Sequence, residues 1–261
     1  MSHKVLIVTN SRIVNNIEIK LKNIIEKFDI KVRYTPFKKH LDDILEKENI
    51  TLVFNLIPLI NNSYSLFLPA LCNLLEIPYL GSGIFTISAL TEYQREILEY
   101  HKLKKDVCLL RKLYNISVIG NSNDMIFNIK VINGMRFPHE QEFIDKNLLL
   151  KIKNIIDIIK KSLKINDYFM CDLVQISPSI EEFYYREIIP SPSLNENSPF
   201  CISLMDLGFS YEDIIGAILL SAMKRNQISP PHKLKKVQRK INLARYNREC
   251  IKNEYEAIWN T

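Results

Sequence analysis

The sequence predicts an α/β protein made of two successive parts and a long C-terminal helix, and three observations support this. Short apolar runs alternate with amphipathic segments in the first part, as in a parallel sheet covered by helices. Longer strands joined by a short polar turn follow. Beyond them, apolar residues recur at spacings of three and four up to Ile258. We therefore expect domains over residues 1–103 and 104–229 and a helix over 230–261.

The first part alternates strands and helices. Its predicted strands are short apolar runs suited to burial on both faces of a parallel sheet, namely Lys4–Thr9, Ile30–Tyr34 and Thr51–Leu56. Between and after them, apolar positions at helical spacing predict helices at Ile17–Phe28, Leu41–Glu48 and Leu66–Leu75. The run Ile77–Gly81 and a helix over 86–103 complete this part.

The second part has the character of an α+β layer with adjacent strands. Its predicted strands are Asn115–Gly120, Met125–Ile132, Asp167–Ile176 and Glu182–Ile188. The polar turn Asn121–Asp124 joins the first two. Amphipathic helices are predicted at Asn147–Leu163 and Tyr211–Arg225, and Ser229-Pro230-Pro231 ends this part.

The net charge of +6 is concentrated in the C-terminal helix. Residues 233–252 carry eight basic side chains and one acid, so the rest of the chain is nearly neutral. The apolar stripe of this helix predicts packing against its own domain. Docking of a partner, or of a second copy in a homo-oligomer, is the alternative. No aromatic stacking pattern accompanies the charge, so we do not expect nucleic acid as the partner.

Cysteine usage and hydropathy predict a cytoplasmic protein. The five cysteines are scattered without a paired spacing, as is typical of free thiols in a reducing compartment. Neither a signal peptide nor an apolar run long enough to span a membrane is visible. Only six glycines occur, and they form none of the glycine-rich loops that wrap phosphates.

Two stretches resemble a known family. Residues from Leu52 read LVFNLIPLINNSYSLFLPALCNLLEIPYLGSG, similar to V-F-N, then P-A-L-L-E and I-P-Y-x-G-S, in D-alanine–D-alanine ligases of the ATP-grasp superfamily. The later stretch reads YFMCDLVQISPSIEEFYYREIIPSPSLNENSPF and resembles the family's A-R-V-D-F strand followed by E-I-N-T-x-P-G-x-T-x-x-S. The resemblance implies a pre-ATP-grasp-like N-terminal domain followed by the C-terminal half of an ATP-grasp fold.

The resemblance also implies three site residues. Asp172 and Glu187 match the acids that hold Mg²⁺ in such enzymes, and Ser198 matches the serine that meets the substrate carboxylate. Each has a structural alternative: Ser198 as a helix N-cap, and the two acids as strand-end groups paired with Arg186 or a lysine. At the third metal position the chain has Ile189, which has no oxygen donor.

Other parts of the ligase machinery are replaced. Met170 stands at the arginine of A-R-V-D-F, and Tyr93 stands at the lysine of the family's L-D-K. The loops at 10–15 and Ile57–Pro69 contain no acid that would oppose an amino-acid ammonium group. Only Lys104–Tyr114 occupy the interval that holds the nucleotide-clamping subdomain in full-length relatives. Eleven residues are too few to build it, so we expect this subdomain to be deleted.

Two further features do not indicate a replacement chemistry. His139, Glu140 and Glu142 lack the ordered spacing of metal ligands, which favours an exposed loop. Cys171 adjoins Asp172, but strand alternation places its thiol on the opposite face, where we expect it in the core.

Three hypotheses follow. The first is a degenerate relative of the ligases that needs no cofactor and serves as a scaffold or as a partner subunit of a ligase, docking through the C-terminal helix. The second is a working ADP-forming carboxylate–amine ligase that uses ATP and Mg²⁺ and takes its missing nucleotide elements from another subunit. The third is a module that binds a small molecule or peptide between the two domains.

Overall fold

The structure is a computed structural model, and the residues it describes carry two four-stranded sheets and the helices around them. These residues are 3–9, 16–37, 41–57, 64–89, 94–100, 103, 112–121, 125–133, 146–177 and 180–244.

The N-terminal sheet is parallel, with strand order β2-β1-β3-β4. Its elements alternate as predicted: β1 His3–Thr9, α1 Asn16–Lys27, β2 Ile30–Pro36, α2 Leu41–Lys47, β3 Leu52–Asn55, α3 Tyr64–Leu74 and β4 Tyr79–Leu80. Helix α1 covers one face, and α2 and α3 cover the other. Both faces are therefore buried, which explains the continuous apolar run of β1.

The second sheet is antiparallel, with strand order β6-β5-β7-β8. Its strands are β5 Lys112–Ile119, β6 Ile126–Asn133, β7 Tyr168–Ser177 and β8 Ile180–Ile189. The next helices along the chain are α4 Ile84–Ser88, α5 Gln94–Tyr100, α6 Lys146–Ser162, α7 Pro199–Met205 and α8 Tyr211–Arg225. The prediction of a mixed α/β fold with a parallel and an antiparallel layer is confirmed. The helix predicted over 86–103 is described only in part: α4 ends at Ser88, α5 covers Gln94–Tyr100, and residues 90–93 between them lie outside the described residues.

Helix α8 lies in the centre of the molecule. Twelve of its 15 residues are buried, because it packs in one core with β1 and α1 and also contacts β5 of the other sheet. A helix that is apolar on most sides is typical of such a central position. Within the described ranges, no helix is long and apolar enough to cross a membrane.

A last helix, α9, covers residues 234–244 and packs against α1 and α8. Leu234, Val237 and Ile241 are buried in the same core as β1, so the predicted packing of this stripe on its own domain is confirmed up to residue 244. The crossing is close at Gly216, where a Cβ would lie 2.9 Å from both Phe28 Cζ and Val237 Cγ2. The rest of the predicted stripe, from Arg248 onward, lies outside the described residues.

Candidate functional site

A row of polar residues crosses all four strands of the antiparallel sheet. We call Lys130, Asn115, Asp172 and Glu187 the polar row, because each is the register partner of the next across β6, β5, β7 and β8. Asn115 Nδ2 donates a hydrogen bond to Asp172 Oδ1 at 2.7 Å. Strand alternation places the row on the face opposite the core that α6 covers.

A β-bulge brings Glu187 into this row. Asp172 pairs with Glu187 while Leu173 pairs with Tyr185, so Arg186 is an extra residue in β8. Without the extra residue, strand alternation would turn the side chain at position 187 to the other face. The bulge therefore allows two carboxylates to stand side by side in the polar row.

The surroundings of Asp172 raise the pKa of its carboxyl group. Burial raises the pKa of Asp172, and the negative charge of Glu187 raises it further. The hydrogen bond from Asn115 and the charge of Arg186 act in the opposite direction. A half-buried carboxyl beside a second carboxyl is a place where a bound cation or a proton would relieve repulsion.

The donor set does not fit the three-ligand magnesium site that the family resemblance implies. Asp172 and Glu187 supply the ligand type that Mg²⁺ prefers, but Ile189 supplies no oxygen. Across the part of the chain that the structure describes, no three histidine, cysteine or acidic side chains gather where they could hold a metal ion. The roles of Asp172 and Glu187 as metal ligands therefore stay predictions.

An apolar pair stands next to the two acids. Met170 is the register partner of Ile189, one alternation step along β7 and β8 from Asp172 and Glu187. Met170 also packs against the main core. These are the two positions at which the family resemblance implies an arginine and an asparagine, and neither side chain here can neutralise an oxyanion or ligate a cation.

Ser198 caps helix α7. Its hydroxyl accepts a hydrogen bond from Cys201 N at 3.3 Å and donates one to the carbonyl of Ser193 at 2.7 Å. The bond from Cys201 N confirms the predicted N-cap, and the side chain is buried. Both roles of this hydroxyl are taken within the protein, and its predicted contact with a substrate carboxylate stays a prediction.

Other predicted features have different outcomes. Cys171 lies in the core on the face opposite Asp172, as predicted, and burial raises the pKa of its thiol. Tyr93, the loop at 10–15 and the cluster His139, Glu140 and Glu142 lie outside the described residues. Between α5 and β5 only Leu103 is described, so the deletion of the clamping subdomain stays a prediction.

Sequence reasoning missed a buried carboxylate, that of Asp167, which joins the two sheets. It accepts hydrogen bonds at 2.7–3.2 Å from the backbone N–H of Gly81, Asn121 Nδ2, Ser221 Oγ and two nitrogens of Arg225. Asp167 has a left-handed backbone conformation, with φ of 62°. An acid at the first position of the predicted strand Asp167–Ile176 was the available signal, and it did not reveal partners this distant in sequence.

Sequence reasoning also missed Glu18. The two loops expected to bind an amino acid contain no acid, but Glu18, the third residue of α1, is buried near the carboxyl end of β1. Burial raises the pKa of Tyr34 to about 12, and the charges of Glu18 and Glu26 act in the same direction. Open α/β sheets place ligands at this edge. An acid at the edge of the apolar face of the helix predicted over Ile17–Phe28 was the signal in the sequence.

The arrangement of a parallel sheet, an antiparallel sheet and a shared helical core is similar to the fold of several solved D-alanine–D-alanine ligase structures. No protein-family model and no curated protein sequence matches the chain. The similarity therefore lies in the three-dimensional structure.

Three of these structures illustrate the similarity. The D-alanine–D-alanine ligase of Bacillus anthracis superposes with a TM-score of 0.63 at 12% identity, over 87% of this chain and 99% of that chain. The structure of the Bacillus anthracis enzyme complexed with ATP superposes with a TM-score of 0.64 at 14% identity, over 87% of this chain and 99% of that chain. The D-alanyl-alanine synthetase A of Vibrio cholerae superposes with a TM-score of 0.62 at 10% identity, over 86% of this chain and 100% of that chain. At these identities the likeness shows the fold alone.

Proposed function

We propose that this chain is a ligase-fold protein without ATP-dependent ligation of its own, and that it acts as a scaffold or partner subunit of a ligase. The observation that carries the proposal is the apolar pair Met170 and Ile189 beside the polar row. At these two positions the resemblance to D-alanine–D-alanine ligases implies a cation for phosphate oxygens and a ligand for Mg²⁺.

The physical argument concerns charge. Phosphoryl transfer to a carboxylate brings several anionic oxygens together, and catalysis consists mainly of positioning and neutralising them. Methionine and isoleucine contribute neither charge nor an oxygen donor. Asp172 and Glu187 stay without the third ligand, so the polar row would repel an unaccompanied triphosphate.

A rigid frame supports a scaffold role. Asp167 connects β4 of the parallel sheet, the end of β5 and helix α8 through five hydrogen bonds. Helix α9 packs into the same core as β1. Relative positions of surfaces on the two sheets are therefore fixed, which is what a docking platform needs.

The second candidate is an active ligase that uses ATP and Mg²⁺ with help from another subunit. The side-by-side carboxylates Asp172 and Glu187 favour it, because two of three metal ligands are kept. When bound, the metal would neutralise charge on transferred phosphate oxygens. Ser198 would then meet the substrate carboxylate, which requires its hydroxyl to leave the Ser193 carbonyl.

A phosphate-release assay with ATP, Mg²⁺ and D-alanine tests the proposal on the purified chain. We expect release at the level of buffer for the wild type, for Asp172→Ala and for the control Asp42→Ala, which removes an exposed acid on α2. Release by the wild type and by Asp42→Ala that disappears in Asp172→Ala would establish the ligase instead. The melting temperature with and without MgATP gives a second readout, because ligand at 100 times its Kd stabilises by about 2.7 kcal/mol.

The partner role has its own test. The rate of a D-alanine–D-alanine ligase from the same cells is measured with and without this chain at increasing concentration. We expect the chain to change kcat or KM of that ligase in a saturable way. A ligase rate that is independent of the chain contradicts the partner role.

A further inference from the structure

Helix α9 has two faces of different chemistry. At 100° per residue, its packed face carries Leu234, Val237 and Ile241. The opposite face is exposed and consists of Lys235, Lys236, Arg239 and Leu243, which we call the outer face. Leu243 is 59% exposed although it is a large apolar side chain.

The cations of α9 are divided between the body and the solvent. Lys233, just before the helix, pairs with Asp29 at 2.7 Å, and Lys240 pairs with Asp213 at 2.6 Å, so both of these cations face the body. The three cations of the outer face have no ion pair within the described residues. They belong to the segment 233–252, which carries eight basic side chains and one acid, while the chain outside that segment is nearly neutral.

We propose that the outer face docks a protein partner that presents acidic side chains around an apolar pocket for Leu243. The proposal rests on the proposed function, in which the chain acts together with another protein. It replaces the expectation that the apolar stripe of the C-terminal helix binds the partner, because that stripe is buried against α1 and α8 up to residue 244.

The charge and hydropathy of the outer face favour an acidic protein partner over a nucleic acid or a membrane surface. Three cations within about 6 Å along the helix axis would attract phosphates, but phosphates leave Leu243 in water. Binding in a membrane interface needs a broad apolar helix face, and the apolar face of α9 is already covered. An acidic protein surface with a pocket satisfies both the cations and the leucine.

The anchoring of α9 favours tight docking. Its packed face and its two ion pairs fix the helix before a partner arrives, so little conformational entropy is lost on binding. The side chains of the outer face are exposed, so they can be changed without disturbing the core.

Photocrosslinking in the cells that make the protein tests the proposal. Leu243 of the full chain is replaced by benzoyl-phenylalanine, the cells are irradiated, and crosslinked peptides are sequenced by mass spectrometry. We expect one protein partner whose crosslinked segment is rich in Asp and Glu. Added Lys235→Glu, Lys236→Glu and Arg239→Glu should lower the yield at least about tenfold.

Two controls isolate the outer face. Lys31→Glu, Lys153→Glu and Lys161→Glu change the net charge equally at other exposed positions and should keep the yield. Benzoyl-phenylalanine in place of Leu74, an exposed residue of α3, should not capture the partner. Thermal melting confirms that each variant is folded.

Four outcomes overturn the proposal: an adduct that survives charge reversal of the outer face, an adduct to RNA, an adduct to lipid, or none. ATP turnover by the purified chain would instead overturn the proposed function. That readout does not involve position 243, so the two proposals fail separately.

Discussion

Arg225, on the last turn of α8, donates hydrogen bonds from two nitrogens to the buried carboxylate of Asp167. Nε lies 3.2 Å from Oδ1, and Nη2 lies 2.7 Å from Oδ2. The same Nη2 donates to the carbonyl of Tyr79 at 2.7 Å, at the start of β4. One guanidinium therefore connects the parallel sheet to the loop before β7, and removing it leaves a charge with no exposure to water.

Arg225→Met should lower the free energy of unfolding by about 3–5 kcal/mol, because breaking a buried ion pair leaves an uncompensated charge. Urea denaturation measures the loss. The matched variant Asp167→Asn/Arg225→Met also removes the unpaired charge of Asp167, so it should recover part of the lost free energy of unfolding. If the single and double variants are equally unstable, the charge of Asp167 is not the cause.

Lys160 should make stability depend on pH. Burial lowers the pKa of its ammonium group to about 8, although the charges of Asp167 and Asp157 act the other way. Between that value and the ordinary pKa of about 10.4, the unfolded chain binds more protons than the folded one. The free energy of unfolding should therefore rise as the pH rises through this window.

Lys160→Met tests this dependence. Its unfolding free energy, from urea titrations at several pH values, should lack the rise that the wild type shows. Lys161→Met, which removes an exposed neighbour, should keep it. An identical rise in both variants would assign the dependence to other groups.

Gly216→Ala should destabilise the protein by about 1–2 kcal/mol. Alanine favours the helix by up to about 1 kcal/mol, but a Cβ here would lie 2.9 Å from Val237 Cγ2, and overpacking costs about 1–3 kcal/mol. In a Val237→Ala background the penalty should shrink, as a urea-based double-mutant cycle would detect. An unchanged penalty would exclude the contact between α8 and α9 as its source.

Glu187→Gln should lower the pKa of Asp172, since it removes a like charge beside a half-buried carboxyl. Carboxyl-carbon NMR over a pH titration reports this pKa directly. Glu46→Gln, an exposed change on α2, serves as the reference and should leave Asp172 unaffected. A pKa that rises in Glu187→Gln would contradict the pairing across β7 and β8.

Ser198→Ala should lose about 1 kcal/mol of stability, the usual effect of removing an N-cap. Ser198→Asp should retain most of it, because aspartate caps helices as well as serine does. Thermal or urea unfolding distinguishes the two. Equal loss in both variants would indicate that the bond to the Ser193 carbonyl, which aspartate cannot donate, matters more than the cap.

Local patterns predicted most of the fold because the apolar and polar positions of a segment reflect which of its faces are buried. The apolar run of β1 and the alternation around Cys171 led to the correct sheets and faces. The resemblance to the ligases led to Asp172 and Glu187, which the sheet pairs directly. These features depend on residues close together in the sequence or on a recognisable motif.

Features that depend on distant partners could not be predicted. Nothing near Asp167 in the sequence points to Arg225 or Gly81, and the pairing exists only after two sheets meet. The bulge at Arg186 depends on the register between β7 and β8. The contact of Gly216 with Val237 likewise requires two helices to cross, which periodicity cannot place.

The position of α9 determines when the N-terminal sheet can be completed during synthesis. Val5 and Ile7 share their core with Leu234 and Ile241, which are made much later in translation. On the ribosome, one face of the nascent sheet therefore lacks part of its cover until Leu234 and Ile241 have emerged. Stop codons ahead of position 234 would release chains with that core open to water, and these should be substrates for chaperones and proteases.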